Sequence, residues 1–135
     1  MRILALIIVV YTPAMLLIHL STGKILKAWK EQPNSWINRQ FSPQRALRIE
    51  ALFWLLTLAA WTLWQPLAWK VIVALFAAIH LGIWSAGELT TNRNNGVALT
   101  QAGYMRRVIV VFDLVEAFVL AAVGVIAVLY LIHAG

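Results

Sequence analysis

The chain has 135 residues, 62% hydrophobic and 12% charged, with eleven Lys and Arg against five Asp and Glu and no cysteine. A soluble domain is about 45–50% apolar and about 25% charged, and a short one leaves much of its surface in water. The mean hydropathy of +0.82 therefore excludes a soluble globular domain, and the composition equally excludes a disordered chain and a disulfide-stapled secreted module.

A helix needs about 20 mostly apolar residues to cross a hydrocarbon layer of about 30 Å. Ile3 to Leu20 is an uncharged apolar run. It leads into His19-Leu20-Ser21-Thr22-Gly23-Lys24 rather than a small-residue cleavage site, so it reads as a retained helix and not as a signal peptide. A second segment runs from about Ala51 to Trp64 and reaches back over Arg45 to Glu50 as wetter first turns. The third is Leu67 to Gly87, with Lys70 near its start, and the fourth is Val108 to Ile132, interrupted only by Asp113 and Glu116. No stretch alternates with the two-residue period of a barrel strand. The expectation is an all-α integral membrane four-helix bundle, one domain over residues 1–135, with helices at about 3–20, 45–64, 67–87 and 107–132 and loops at 21–44 and 88–106.

Basic residues set the orientation. Lys24, Lys27, Lys30, Arg39, Arg45 and Arg48 follow the first helix, and Arg93, Arg106 and Arg107 follow the third; only Arg2 and Lys70 lie on the other side. Both loops are thus expected in the cytoplasm and both termini outside, in a multi-pass protein of the inner (plasma) membrane. Trp61, Trp64 and Trp69 bracket the Gln65-Pro66 turn, where an outer aromatic belt belongs. The net charge of +6 then marks orientation and attraction to the lipid bilayer's anionic headgroups, and no nucleic-acid partner is expected.

Within the first loop, Ile25, Leu26 and Trp29 share one helical side and lysines another, the pattern of a basic segment lying along the membrane interface. Pro33-Asn34-Ser35 breaks it, and Ser42-Pro43 reads as N-cap and first position of the next helix. The second loop carries the turn chemistry of Thr90 to Gly96 and no phosphate-loop pattern.

Charged groups at membrane depth are costly, about 2.5–3.5 kcal/mol on insertion scales, and so mark function by default. Asp113 and Glu116 are three residues apart on one helical face. Counted from Arg107 they lie about 9 and 14 Å in from the cytoplasmic edge, and His80, counted from Gly87, about 10 Å in. His80, Asp113 and Glu116 are the candidate intramembrane polar site, while Arg48, Glu50, Tyr104, Arg106 and Arg107 are candidate ligand or partner contacts at the cytoplasmic face. Glu50 and His19 are placed nearer the interface, His19 at a different depth from His80. Plainer roles stay open: His80 bonded to a carbonyl or hydroxyl, and the two acids paired with inward-reaching Arg48, Arg106 or Arg107. The set contains no Glu-x-x-His pair and no cysteine, so no metal or haem is expected, and no serine has an obvious base partner. Ala117, Ala121 and Gly124 form a small-residue stripe, and Thr12-Pro13 is a point of bending in the first helix.

The layout resembles the superfamily of membrane-associated proteins in eicosanoid and glutathione metabolism (MAPEG). Arg45-Ala46-Leu47-Arg48-Ile49-Glu50 is similar to that family's entry to its second helix, with Arg48 as the match. Leu52 and Leu55 stand where the family has asparagine and glutamate, and His80 and Trp84 where it has tyrosines. The resemblance implies a four-span fold and, through Arg48, Tyr104 and Arg106, a trimeric enzyme conjugating glutathione to lipophilic electrophiles. Three functions follow as expectations, and whether the chain is an enzyme stays open among them. The leading one is a subunit or accessory component of a membrane complex, working as a homo-oligomer or in a larger assembly through its acidic and histidine face. The alternatives are the glutathione-dependent enzyme and a proton-linked small-solute transport element.

Overall fold

The computed structural model describes residues 1–32, 34–89 and 103–133. No strand occurs among them. In chain order the helices are α1 (Arg2–Leu20), α2 (Thr22–Glu31), α3 (Trp36–Gln40), α4 (Pro43–Ala59), a 3-10 turn (Trp61–Leu63), α5 (Leu67–Leu89) and α6 (Gly103–His133).

Among the described residues, three helical stretches are long and apolar enough to cross a membrane: Arg2–Leu20, Leu67–Ala86 and Arg106–His133. The expected second span falls short of this measure. Its helix, α4, has 17 residues, carries Arg45, Arg48 and Glu50 in its first half, and gives way to the 3-10 turn after Ala59. The last helix starts at Gly103, earlier than the expected 107. Residues 90–102, which hold the expected Thr90–Gly96 turn and Arg93, lie outside the described residues.

Polarity is arranged inside out. Glu116, Thr57, His19 and His80 are buried, while Ile3, Leu17, Leu67 and Phe118 are largely exposed. That distribution suits lipid as the outer solvent, since nothing in hydrocarbon replaces a polar group's lost water.

The segment between α1 and α4 folds as a small amphipathic layer. Leu26 of α2 is buried while Lys24, Lys27 and Lys30 face out. Asn38 closes the turn to α3 by donating from Nδ2 to the carbonyls of Ala28 and Gln32, and Trp29 donates to the Phe41 carbonyl at 2.7 Å. Ser42 caps α4 as its sequence suggests: its hydroxyl accepts from the Arg45 amide, and Pro43 opens the helix.

α1 lies antiparallel against α6, α4 antiparallel against α5, and α1 also touches α4. The core they enclose is built on Ile8, Met15, Phe53, Trp54, Val73, Phe76, Leu120 and Val123. Trp64 belongs to this core and not to an interfacial belt. The short turn folds its ring back over α4, where Nε1 donates to the Thr57 carbonyl at 2.7 Å and the side chain is fully buried. Trp61 is exposed, with the Lys70 ammonium 5.8 Å from its ring centre.

Candidate functional site

The buried stripe of α1 runs Ala5, Ile8, Thr12, Met15, His19, the three-and-four spacing of one helical face. Its last member is a histidine. On α6, Glu116, Leu120, Val123 and Ala127 are buried in the same rhythm. The antiparallel register sets Thr12 against Gly124, His19 against Glu116 and Thr22 against Asp113. His80 enters from α5, continuing the buried run Val73, Phe76, Ala77.

These elements bring three ionisable side chains to one point. Glu116 Oε2 lies 3.3 Å from His19 Nε2 and 3.1 Å from His80 Nε2. Its other oxygen accepts from the Trp54 indole N–H at 2.9 Å. Glu116 has no solvent exposure, and His19 and His80 are almost as buried. Neither histidine contact is aligned as a directed hydrogen bond, which leaves Oε2 a buried acceptor without a hydrogen-bond partner.

Both rings are fixed from behind. His19 Nδ1 sits 2.8 Å from the Met15 carbonyl and His80 Nδ1 2.8 Å from the Phe76 carbonyl. A carbonyl only accepts, so each Nδ1 bears the hydrogen and each Nε2 is the nitrogen turned to Glu116. The His80 ring stacks on Trp54 with centroids 5.6 Å apart, and Phe76 and Phe112 enclose the same cluster. Two neutral imidazoles would aim lone pairs at a carboxylate oxygen. The arrangement holds together when a cation lies among the three groups, either as protons on the rings or as a metal ion.

Of the expected intramembrane site, the fold joins His80 to Glu116 and sets Asp113 apart. Asp113 is half-buried one turn away and accepts a hydrogen bond from the Thr22 hydroxyl. His80 does bond a carbonyl, in keeping with the plainer reading, but through one nitrogen only. The expectation that His19 and His80 lie at different depths is overturned, because both reach the same oxygen. Counting helical rise from a nominal edge ignores side-chain tilt. Helical side chains lean toward the N-terminus of their own helix. In the antiparallel pair His19 therefore leans inward from the end of α1 while Glu116 leans back to meet it. Nothing in the sequence singles out Trp54 as a partner; the nearest signal is its place beside Phe53 and Thr57 on the buried side of α4.

The cytoplasmic-face candidates divide. Glu50 is half-buried, and its carboxylate is close enough to interact electrostatically with His19, His80, Glu116 and Asp113. Arg106 is half-buried and donates to the Gly23 carbonyl at 3.2 Å, tying α6 to α2. Arg48 and Arg107 are exposed, and Leu52 and Leu55 face outward. The side chain of Tyr104 lies outside the described residues. Compared with known proteins, the chain matches no family model, no curated protein and no solved structure.

Proposed function

We propose that the chain is a four-pass protein of the inner membrane, with both termini outside, that works as a cation-linked element of small-solute transport. The cation resides at the His19–Glu116–His80 centre. One observation carries this reading: a fully buried carboxylate from one apolar helix is shared by histidines from two others. Structural packing alone is better served by apolar side chains of similar size, because burying charges costs more than their attraction returns in many proteins. A closed centre inside the fold also speaks against an acidic face reserved for a partner. The fourth crossing is supported by α4, which packs along α5 and buries Phe53, Trp54 and Thr57 against it and its neighbours, and the orientation by the distribution of basic residues.

The test is proton uptake after an acid pulse into proteoliposomes holding a pH-sensitive dye. Wild-type protein should acidify the lumen faster than empty vesicles, and Glu116→Gln should return the rate to that of empty vesicles. Equal rates for wild type and Glu116→Gln would remove the centre from the function.

A second reading, a subunit of a membrane complex, draws on a different place. Val9, Pro13, Leu16, Ala121 and Val125 line an apolar groove between α1 and α6, a shape that accepts a further helix. Affinity purification in mild detergent with mass spectrometry decides it: a stable partner supports the subunit role, and a self-sufficient homo-oligomer or monomer removes it.

A further inference from the structure

We propose that His19, His80 and Glu116 form a binding site for one divalent transition-metal ion of the zinc class, held by the two Nε2 atoms and Glu116 Oε2. The inference rests on the reading that this centre holds a cation, and it names which cation. The ligand atoms lie within 4.8 Å of one another on three buried residues. With metal–ligand bonds of about 2.0–2.1 Å, two ligands of a tetrahedral ion stand about 3.3 Å apart. The two histidine–carboxylate distances, 3.3 and 3.1 Å, already have that length.

Each ligand also has the support that metal ligands need. A metal-binding imidazole presents one nitrogen to the ion and donates the other N–H to a fixed acceptor. Here the Met15 and Phe76 carbonyls are those acceptors, both at 2.8 Å. The Trp54 indole N–H orients the carboxylate by bonding Oε1 at 2.9 Å, which leaves Oε2 as the atom without a hydrogen-bond partner. Stacking against Trp54 and the tilted Phe112 ring hold the plane of His80.

Protons fill this geometry less well. One proton leaves a histidine lone pair facing the carboxylate. Two protons set two buried imidazolium rings side by side. A divalent ion takes all three lone pairs at once. Two imidazoles and one carboxylate suit zinc or ferrous iron, whereas magnesium and calcium prefer all-oxygen shells.

The experiment uses untagged protein in mild detergent, stripped with chelator and titrated with Zn2+ by calorimetry and with Co2+ by visible and X-ray absorption spectroscopy. The expected result is one ion per chain, lost in His19→Gln, His80→Gln and Glu116→Gln, retained in His133→Gln, and weakened about 10–100-fold in Trp54→Phe. Circular dichroism and gel filtration establish that each variant folds. Where one does not, the Co2+ spectra of wild type decide alone: imidazole nitrogen and carboxylate oxygen in the ion's shell support the site, and a shell without imidazole overturns it. Absence of saturable one-to-one binding, or binding that survives Glu116→Gln, overturns it too. Proton uptake measured with chelator present separates the two claims. If Glu116→Gln abolishes uptake while no metal binds, the metal site falls and the cation-linked function stands; if metal binds and uptake is indifferent to Glu116, the reverse holds.

Discussion

Thr12 and Gly124 mark a close approach of α1 and α6: a Cβ on Gly124 would lie 2.8 Å from Thr12 Cγ2 and 3.3 Å from its Cβ and Oγ1. Thr12 has little freedom to yield. It is β-branched, which restricts its rotamers, and its hydroxyl donates to the Ile8 carbonyl at 2.7 Å. The small-residue stripe of α6 thus has a partner inside the chain at Gly124, while Ala121 faces the outer groove.

Gly124→Ala should therefore separate the two helices and destabilise the fold by about 1–3 kcal/mol. The separation propagates along the register to His19 and Glu116. The check is the melting temperature in detergent, and the paired variant Thr12→Ala/Gly124→Ala, which removes the clash from the other side, should recover part of the loss. No loss in Gly124→Ala alone would show that the helices slide freely at this point.

Thr22 fastens α2 to the long helix through its hydrogen bond to Asp113, with Arg106 and the Gly23 carbonyl as a second tie. Thr22→Val keeps the shape and removes the hydroxyl, leaving a half-buried carboxylate short of a donor, a change worth about 1–3 kcal/mol. Release of α2 would expose the backbone beside Lys24, Lys27 and Lys30. Limited trypsin digestion should cut there faster than in wild type, and Thr22→Ser should restore the wild-type rate. Unchanged cleavage would mean that the apolar side of α2 holds it without this bond.

The start of α4 tests a smaller, local statement. Ser42 accepts from the Arg45 amide and Pro43 follows it, so Ser42→Ala should cost about 1 kcal/mol and Ser42→Asp much less. Thermal melts of the two variants give the comparison directly. Equal losses would show that Pro43 and the Arg45 contacts to the Arg39 and Gln40 carbonyls start the helix unaided.

Helix identity was legible because lipid demands long apolar runs, and α1, α5 and α6 have them. The Ser42-Pro43 signal is equally local, depending on the first turn of one helix. His80 and Glu116 were legible as ionisable groups in apolar sequence. His19 was not, because its pairing depends on the register of α1 against α6, which lies in tertiary packing. The spacing of the α1 stripe places His19 on the Ala5–Met15 face, but only a partner helix says what that face meets. Trp54 and Trp64 have the same explanation. A tryptophan in an apolar segment suits an interface or a core, and the choice is made by whether its N–H finds an acceptor, here Glu116 for one and the Thr57 carbonyl for the other.

Trp54 offers the most direct measure of what Glu116 contributes. The indole N–H reaches Oε1 at 2.9 Å while the ring stacks on Phe76 and His80. Trp54→Phe keeps an aromatic ring in the stack and deletes the donor, so a buried carboxylate loses one of its partners. The expected cost is about 1–3 kcal/mol from the unsatisfied acceptor, plus the smaller ring's lost packing. A double-mutant cycle separates the two. In a Glu116→Met background the acceptor is gone and the indole N–H is itself unsatisfied, so Trp54→Phe should cost no more than the packing part; the difference between the two costs is the coupling energy, expected at about 0.5–3 kcal/mol for residues in contact. Melting temperatures or denaturant titrations of the four proteins in one detergent supply all the terms. If Trp54→Phe costs the same in both backgrounds, the indole donor adds nothing to the centre and Glu116 is held by the two histidines alone.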